Sequence, residues 1–316
     1  MGNSLEIAVY AGESSEKYAN ILRAHGCERV TCAKNLEEAR TSLREAEILL
    51  AWRFPIHLLT SNEAGKIRWI QSLGAGVDDW VADDMTERGI TLTRMVGQFG
   101  HAMAEHVFAY LLALEKEIES IRQQQMERVW KPRWTGLLGG QTIGIAGLGS
   151  IGAEMVRLAR AFDMKVYGLS RTGERAHLVD RHFTPDEWTE FARHLDVLVL
   201  TLPLTTRTYH VIDTTVLSAL PSNAVLVNVG RGKLVNESAL TEFLRKGRIR
   251  AAILDVFETE PLPMDSPLWT LSNVYVTPHM SGPTRIENAA RFFLGNLQRY
   301  LEGLPLQGVV EPKRGY

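Results

Sequence analysis

The sequence predicts an α/β fold built as two domains, each with a doubly wound parallel sheet, and three observations carry that expectation. Short apolar runs rich in β-formers alternate with helix-length amphipathic segments along nearly the whole chain, the order produced by parallel strands joined through crossover helices. At 316 residues the chain is about twice the usual length of one domain, so two separate cores are expected. A content of 45% hydrophobic and 23% charged residues is that of a globular chain and excludes a disordered or collagen-like one.

Taken in order, the first unit should hold strands at Ile7–Tyr10, Glu28–Thr31, Ile48–Trp52, Ile67–Ser72 and Ile90–Thr93, with helices at Ser15–Ala24 and Leu36–Arg44. A long helix is expected to begin after Gly97 and Gly100, with Ala104, Val107, Phe108, Leu111 and Leu112 on one stripe. A polar segment with several tryptophans, Gln123 to Gly140, separates it from a second strand series. That series comprises Thr142–Ala146, Lys165–Leu169, Val197–Thr201, Ala224–Val229, Ala251–Leu254 and Val274–Thr277. A last helical pattern, Pro283 to Glu302, follows the loop Pro278 to Pro283, where the chain is expected to return to the first unit. The domains are therefore placed at 1–99 with 281–316, and at 100–280.

A formal net charge of −2, with no block of like charges, gives no field that would gather nucleic acid or an anionic membrane. Cys27 and Cys32 are too few for a disulfide framework and lack companion ligands for a metal, so no metal is expected and a reducing cytoplasm is. The first strand follows Met1-Gly2-Asn3-Ser4 with no basic-then-apolar leader before it, Glu6 stands where a myristoylation signal needs serine or threonine, and no apolar run is long enough to span a bilayer.

The strand ending at Ala146 runs into Gly147-Leu148-Gly149-Ser150-Ile151-Gly152 and then a helical pattern from Ala153 to Phe162. Gly-x-Gly-x-x-Gly alone arises by chance in flexible loops. Between a strand and a helix it is the dinucleotide fingerprint, in which glycines let the backbone approach a pyrophosphate at the helix N terminus. The next strand ends at Ser170-Arg171-Thr172, where an acid usually meets the adenosine ribose. Without a carboxylate to repel a 2′-phosphate, and with a guanidinium and two hydroxyls to bind one, this end favours NADP(H) over NAD(H). An exposed arginine at a strand end is also commonly just solvated.

Three further strand ends carry reactive groups. Arg231, between Gly230 and Gly232, has the geometry to clamp a carboxylate and polarise the adjacent carbonyl. The strand ending at Leu254 opens into an acidic loop, Asp255 to Pro261, and the strand ending at Thr277 is followed by Pro278 and His279. A histidine is the side chain best matched to donate a proton near neutrality, and a neighbouring carboxylate would orient its ring. Each is more often structural when met alone; their joint occurrence at successive strand ends points to chemistry.

Together these motifs resemble the D-isomer-specific 2-hydroxyacid dehydrogenase family, and within it the glyoxylate/hydroxypyruvate reductases. The resemblance rests on Leu73-Gly74-Ala75-Gly76-Val77-Asp78, Gly147 to Gly152, Leu202-Pro203-Leu204-Thr205, Asn228-Val229-Gly230-Arg231-Gly232, Leu254-Asp255-Val256-Phe257 with Glu260-Pro261, and Thr277-Pro278-His279. It implies a Rossmann dinucleotide-binding domain inserted into a flavodoxin-like substrate-binding domain. It further implies that Arg231 holds the substrate carboxylate and carbonyl, that His279 is the general acid/base, and that Glu260 supports it. By the same resemblance Ala75 and Gly76 offer amides to the substrate carboxylate, Leu202, Pro203, Thr208, Val229 and Gly230 line the cofactor site, and Asp255 sits near the nicotinamide carboxamide.

Trp52 matches the aromatic wall of some glyoxylate reductases, or is simply core. Trp130 and Trp134 fall where related reductases form dimer contacts, so a homodimer is expected. The closing Arg314-Gly315-Tyr316 resembles the ending of some bacterial glyoxylate reductases. The expected activity is reduction of a small 2-keto acid to a D-2-hydroxy acid. The alternatives are a non-catalytic dinucleotide-binding regulator of the corepressor kind, or another oxidoreductase on this scaffold such as a formate or phosphite dehydrogenase.

Overall fold

A computed structural model of the chain describes residues 5–54, 59, 65–77, 80 and 88–311. Asp78, Arg314, Gly315, Tyr316 and the first four residues, used in the sequence reading, lie outside the described residues. Contacts divide the chain into unit 1, Met1–Gln98 with Thr284–Tyr316, and unit 2, Phe99–Pro283.

Among the described residues of unit 1, strands β1 (Ile7–Tyr10), β2 (Val30–Ala33), β3 (Ile48–Ala51), β4 (Trp69–Ser72) and β5 (Thr91–Thr93) form one parallel sheet in the order β2-β1-β3-β4-β5. All four residues of β3 and of β4 are buried, as residues are when helices cover both faces of a parallel sheet, although β4 carries Gln71 and Ser72. Helix α1 spans Ser15–Ala24 and α2 spans Leu36–Leu43. Helix α2 starts on a reciprocal cap, with Glu38 N donating to Asn35 Oδ1 and the Glu38 carboxylate accepting from Lys34 N. The edge strand β2 begins two residues later than its composition suggests, because Ile7 pairs with Val30 and only the Arg29 carbonyl reaches back to Ile7 N.

The C-terminal helix, Ile286–Leu301, belongs to this unit and closes its core. Trp69 is fully buried and stacks against both Phe293 (5.2 Å between ring centres) and Tyr300 (5.3 Å), while its Nε1 donates to Thr93 Oγ1 at 2.8 Å. Buried Asn296 donates to Gln71 Oε1 and to the Gln307 carbonyl, and accepts from Gln307 N. A buried amide with all these partners costs little and fixes the helix in register with β4.

Unit 2 carries β6 (Thr142–Ala146), β7 (Lys165–Leu169), β8 (Arg181–Phe183), β9 (Val197–Leu200), β10 (Val225–Asn228), β11 (Ala251–Leu254) and β12 (Val274–Val276), all parallel, in the order β12-β11-β10-β9-β6-β7-β8. This is the doubly wound Rossmann order with a seventh strand added at one edge, and winding reverses between β6 and β9, where such sheets bind ligands. Its helices are α3 (Gly100–Glu115), α4 (Ile118–Met126), α5 (Ser150–Ala161), α6 (Trp188–Ala192), α7 (Thr214–Ala219) and α8 (Glu237–Arg245).

The long helix expected from Gly100 onward breaks at Glu117, whose φ of 49° ends one helix and starts the next. On α3, Ala104, Val107, Phe108 and Leu111 are buried and Leu112 is half-buried. Strand β8 was not anticipated: its sequence Arg-His-Phe is short and polar, and only Phe183 of the three is buried, which suits an edge strand. Among the described residues no helix is long and apolar enough to cross a membrane.

Replacing Trp69 by alanine removes the ring that joins the C-terminal helix to β4. Chemical denaturation should show unit 1 destabilised by about 3–5 kcal/mol.

Candidate active site

Strand β6 hands the chain to the glycine loop. Gly147 has φ 106°, and a Cβ there would fall 2.8 Å from Thr201 Oγ1, whose hydroxyl donates to the Gly147 carbonyl at 2.7 Å. A Cβ on Gly152 would fall 2.1 Å from that same carbonyl, so α5 seats on the loop only without a side chain there. Gly149 differs: it caps α5 at an ordinary φ of −75°, and a Cβ would meet nothing within 4 Å. Nothing in the protein requires glycine at 149, and the space beside it lies at the N terminus of α5, next to the amides of Ser150 and Ile151. Those residues fit the pyrophosphate of a dinucleotide. Leu148 is buried and its carbonyl accepts from Arg175 Nη1 at 3.0 Å, a support that sequence spacing did not reveal.

At the end of β7, Ser170 is half-buried with its Oγ 2.8 Å from His182 Nε2, and Arg171 and Thr172 are exposed. His182 comes from the unanticipated β8. On the other side of the sheet centre, Leu202 and Pro203 are half-buried, Val229 and Gly230 are buried, and a Cβ on Gly230 would lie 3.0 Å from the Leu202 carbonyl. The Thr208 hydroxyl is occupied within its own turn, donating to the Pro203 carbonyl at 2.7 Å and accepting from Thr205 N at 2.8 Å.

Arg231, Glu260 and His279 follow three neighbouring strands. Register aligns Asn228, Leu254 and Val276 in one row across β10, β11 and β12. Arg231 and His279 each stand three residues beyond that row. The Arg231 turn is tied down by Asn228, whose Nδ2 donates to the Arg231 carbonyl and whose Oδ1 accepts from Gly230 N. A Cβ on Gly232 would lie 1.8 Å from the Phe257 carbonyl carbon and 2.5 Å from Glu258 N, so the backbone of the loop after β11 rests directly on the Arg231 turn.

That loop is also clipped to α8. Glu237 N donates to the Glu258 carboxylate at 2.8 Å, and Glu258 N donates to the Glu237 carboxylate at 3.1 Å. Burial, with a smaller push from the Glu258 charge, holds the Glu237 carboxyl above its ordinary range against the opposing hydrogen bond from Glu258 N. His210, itself at φ 49°, brings Nε2 to 2.9 Å from Glu258 Oε1 as an unaligned close contact. Glu260 then curls back, one oxygen accepting from Phe257 N at 3.2 Å and the other lying 2.7 Å from His279 Nδ1.

His279 has φ 51°, a left-handed conformation that costs a non-glycine residue about 1–2 kcal/mol and must be held by its surroundings. Its N–H reaches the Asp255 carbonyl at 2.9 Å. The Asp255 carboxylate, fully buried, accepts from Met280 N (2.9 Å), Ser281 N (2.9 Å) and Thr277 Oγ1 (2.6 Å). The side chain of His279 stays 40% exposed and that of Glu260 26%. With Nδ1 engaged by a carboxylate, Nε2 is the nitrogen left to exchange a proton with a ligand. Unit 1 presents its own strand ends: Trp52, after β3, is 42% exposed and so is not core, and its ring lies 3.6 Å from where a Cβ on Gly74 would be, beside half-buried Ala75 and Gly76.

A family model described as "D-isomer specific 2-hydroxyacid dehydrogenase, NAD binding domain" matches residues 108–281. The chain belongs to the D-isomer specific 2-hydroxyacid dehydrogenase family. It is thus a member of a family of NAD(P)-dependent oxidoreductases. Glyoxylate/hydroxypyruvate reductase B of Yersinia pestis is 33% identical over 88% of this chain and 88% of its own length. D-3-phosphoglycerate dehydrogenase of Methanocaldococcus jannaschii is 33% identical over 85% of this chain, which spans about half of that longer relative (52%). A crystal structure of a family protein from Aeromonas salmonicida superposes with a TM-score of 0.89 at 36% identity, covering 98% of this chain and all (100%) of the other. A dehydrogenase of the family from Xanthobacter autotrophicus, solved in complex with NADPH and MES, gives 0.86 at 30% identity over 99% and 100% of the two chains.

A methyl group on Gly232 would force the Phe257–Glu258 backbone off the Arg231 turn. Gly232→Ala should lower stability by about 1–3 kcal/mol and reduce turnover beyond what the lost stability explains, as checked by denaturation and steady-state kinetics on the same preparation.

Proposed function

We propose that the chain is an NADP(H)-preferring reductase of small 2-keto acids, of the glyoxylate/hydroxypyruvate type, yielding D-2-hydroxy acids. The observation that carries this reading is the His279 Nδ1 to Glu260 Oε2 contact of 2.7 Å, made beside the loop that packs on the Arg231 turn. A bound nicotinamide supplies the hydride; the chain supplies everything else. Arg231 binds the substrate carboxylate and draws negative charge onto the carbonyl oxygen. His279 delivers a proton from Nε2 to that oxygen, and Glu260 holds the ring and balances its charge.

In this reading unit 2 is the dinucleotide-binding domain and unit 1 the substrate-binding domain, with Ala75 and Gly76 offering amides and Trp52 an aromatic wall. The glycine loop, Leu202, Pro203, Thr208, Val229, Gly230 and Asp255 line the cofactor. The absence of a carboxylate at 170–172, with Ser170 and His182 linked beside exposed Arg171 and Thr172, supports the 2′-phosphate preference. So does the NADPH in the Xanthobacter relative. Trp130 and Trp134 are 96% and 100% exposed, an apolar burden that a second copy of the chain would relieve, which supports a homodimer.

A steady-state screen of glyoxylate, hydroxypyruvate, pyruvate, formate and phosphite with both cofactors should show turnover of the first two and higher kcat/KM with NADPH than with NADH. Ser170→Asp should invert that preference by repelling the 2′-phosphate. Cofactor binding without turnover of any keto acid would favour the regulator alternative. His279→Ala should lower kcat by about a hundredfold or more at unchanged cofactor affinity, whereas Arg231→Ala should damage KM and kcat together. Wild-type turnover in His279→Ala would remove it as the acid.

A further inference from the structure

We propose that Thr277, backed by His106, is a positioning residue that holds His279 in its left-handed turn by way of the buried Asp255 carboxylate. The inference rests on the reading of His279 as the proton donor. The left-handed φ of His279 turns the successive N–H groups of Met280 and Ser281 inward, and both point at Asp255. Consecutive amides around one left-handed residue make a concavity that takes an anion, and here the anion is a side chain of the protein itself. The turn is therefore only as well fixed as that carboxylate is.

Its two oxygens receive Met280 N and Ser281 N, and the remaining short bond is the 2.6 Å contact from Thr277 Oγ1 to Oδ1. Thr277 has one hydroxyl hydrogen, and the short distance assigns it to Asp255. Its oxygen is then left to accept, and His106 Nε2 on α3 stands 3.4 Å away. The ring accordingly presents N–H to Thr277, giving a chain of donors from His106 through Thr277 to Asp255. Each bond in such a chain polarises the next.

Burial holds the His106 imidazole below its ordinary value of 6.5, against a smaller opposing pull from Asp255, so near neutrality the ring acts as an uncharged donor. The ring is braced by Tyr110 on the same helix (5.0 Å between ring centres), which in turn meets Tyr275 of β12 (5.8 Å). His106 and Thr277 are 171 residues apart in sequence and touch neither Arg231 nor Glu260 in any contact above.

This separation from the Arg231 turn, which Asn228 ties down independently, sets the test. Thr277→Val keeps the shape and deletes the donor; kcat for the keto acid should fall about tenfold or more as His279 loses its aim. KM should stay within about twofold, because Arg231 is untouched. Thr277→Ser restores the hydroxyl and should recover most of the lost kcat. Should Thr277→Val fail to fold, the second pair decides: His106→Leu should lower kcat severalfold, and His106→Gln, which can still donate, should lower it less.

A Thr277→Val enzyme with parental kcat, a Thr277→Ser enzyme as impaired as the valine variant, or equal kcat in the two His106 variants would overturn the proposal. Full turnover in His279→Ala would instead defeat the assignment of the proton donor, so the two failures are distinguishable.

Discussion

The chemistry of unit 2 depends on the in-register parallel pairing of β10, β11 and β12. Because Asn228, Leu254 and Val276 lie in one row, the chains leaving those strands start level, and Arg231, Phe257 and His279 stand at the same count beyond it. A one-residue slip of β12 would turn its own side chains to the opposite face and carry the loop that holds His279 out of step with its neighbours. Val225 to Val227 of β10 and all of β11 are apolar and buried, which anchors the two inner strands of the row.

Four carboxylates crowd this end of the sheet, and the structure divides them among three tasks. Asp255 accepts from the amides after His279. Glu237 and Glu258 are spent on each other's backbone, clipping the loop to α8 despite mutual repulsion. Glu260 alone keeps an oxygen for the imidazole, because the loop bends back and lets its other oxygen accept from Phe257 N. Composition says only that this region is acidic; hydrogen-bond geometry says which acid has capacity left for the histidine.

That contrast marks what was legible in the sequence. Interior strands such as Val166 to Leu169 and Ala251–Leu254 announce themselves, since a strand covered on both faces is largely apolar. Strand β8 does not, because an edge strand of Arg, His and Phe owes its pairing to its neighbour β7 rather than to its own pattern. Arg231 and His279 were visible as candidates just past apolar runs. The pairing of Thr277 with His106 was not, for a hydroxyl and a half-buried helical histidine 171 residues apart meet only through the fold. Trp52 could not be told from a core residue until its exposure was known.

The glycines make the same point more sharply, because an identical residue stands in opposite surroundings. At 152 and 232 a Cβ would strike backbone, so glycine there serves packing: one seats α5 on its loop, the other seats the Glu260 loop on the Arg231 turn. At 149 the conformation is open to any residue and the space is empty of protein. No described atom fills the space there, and a helix N terminus in a strand-turn-helix unit is where an anionic ligand can approach first-turn amides. Glycine at 149 thus borders open space at the start of α5, whereas glycine at 152 and 232 lets two stretches of backbone touch.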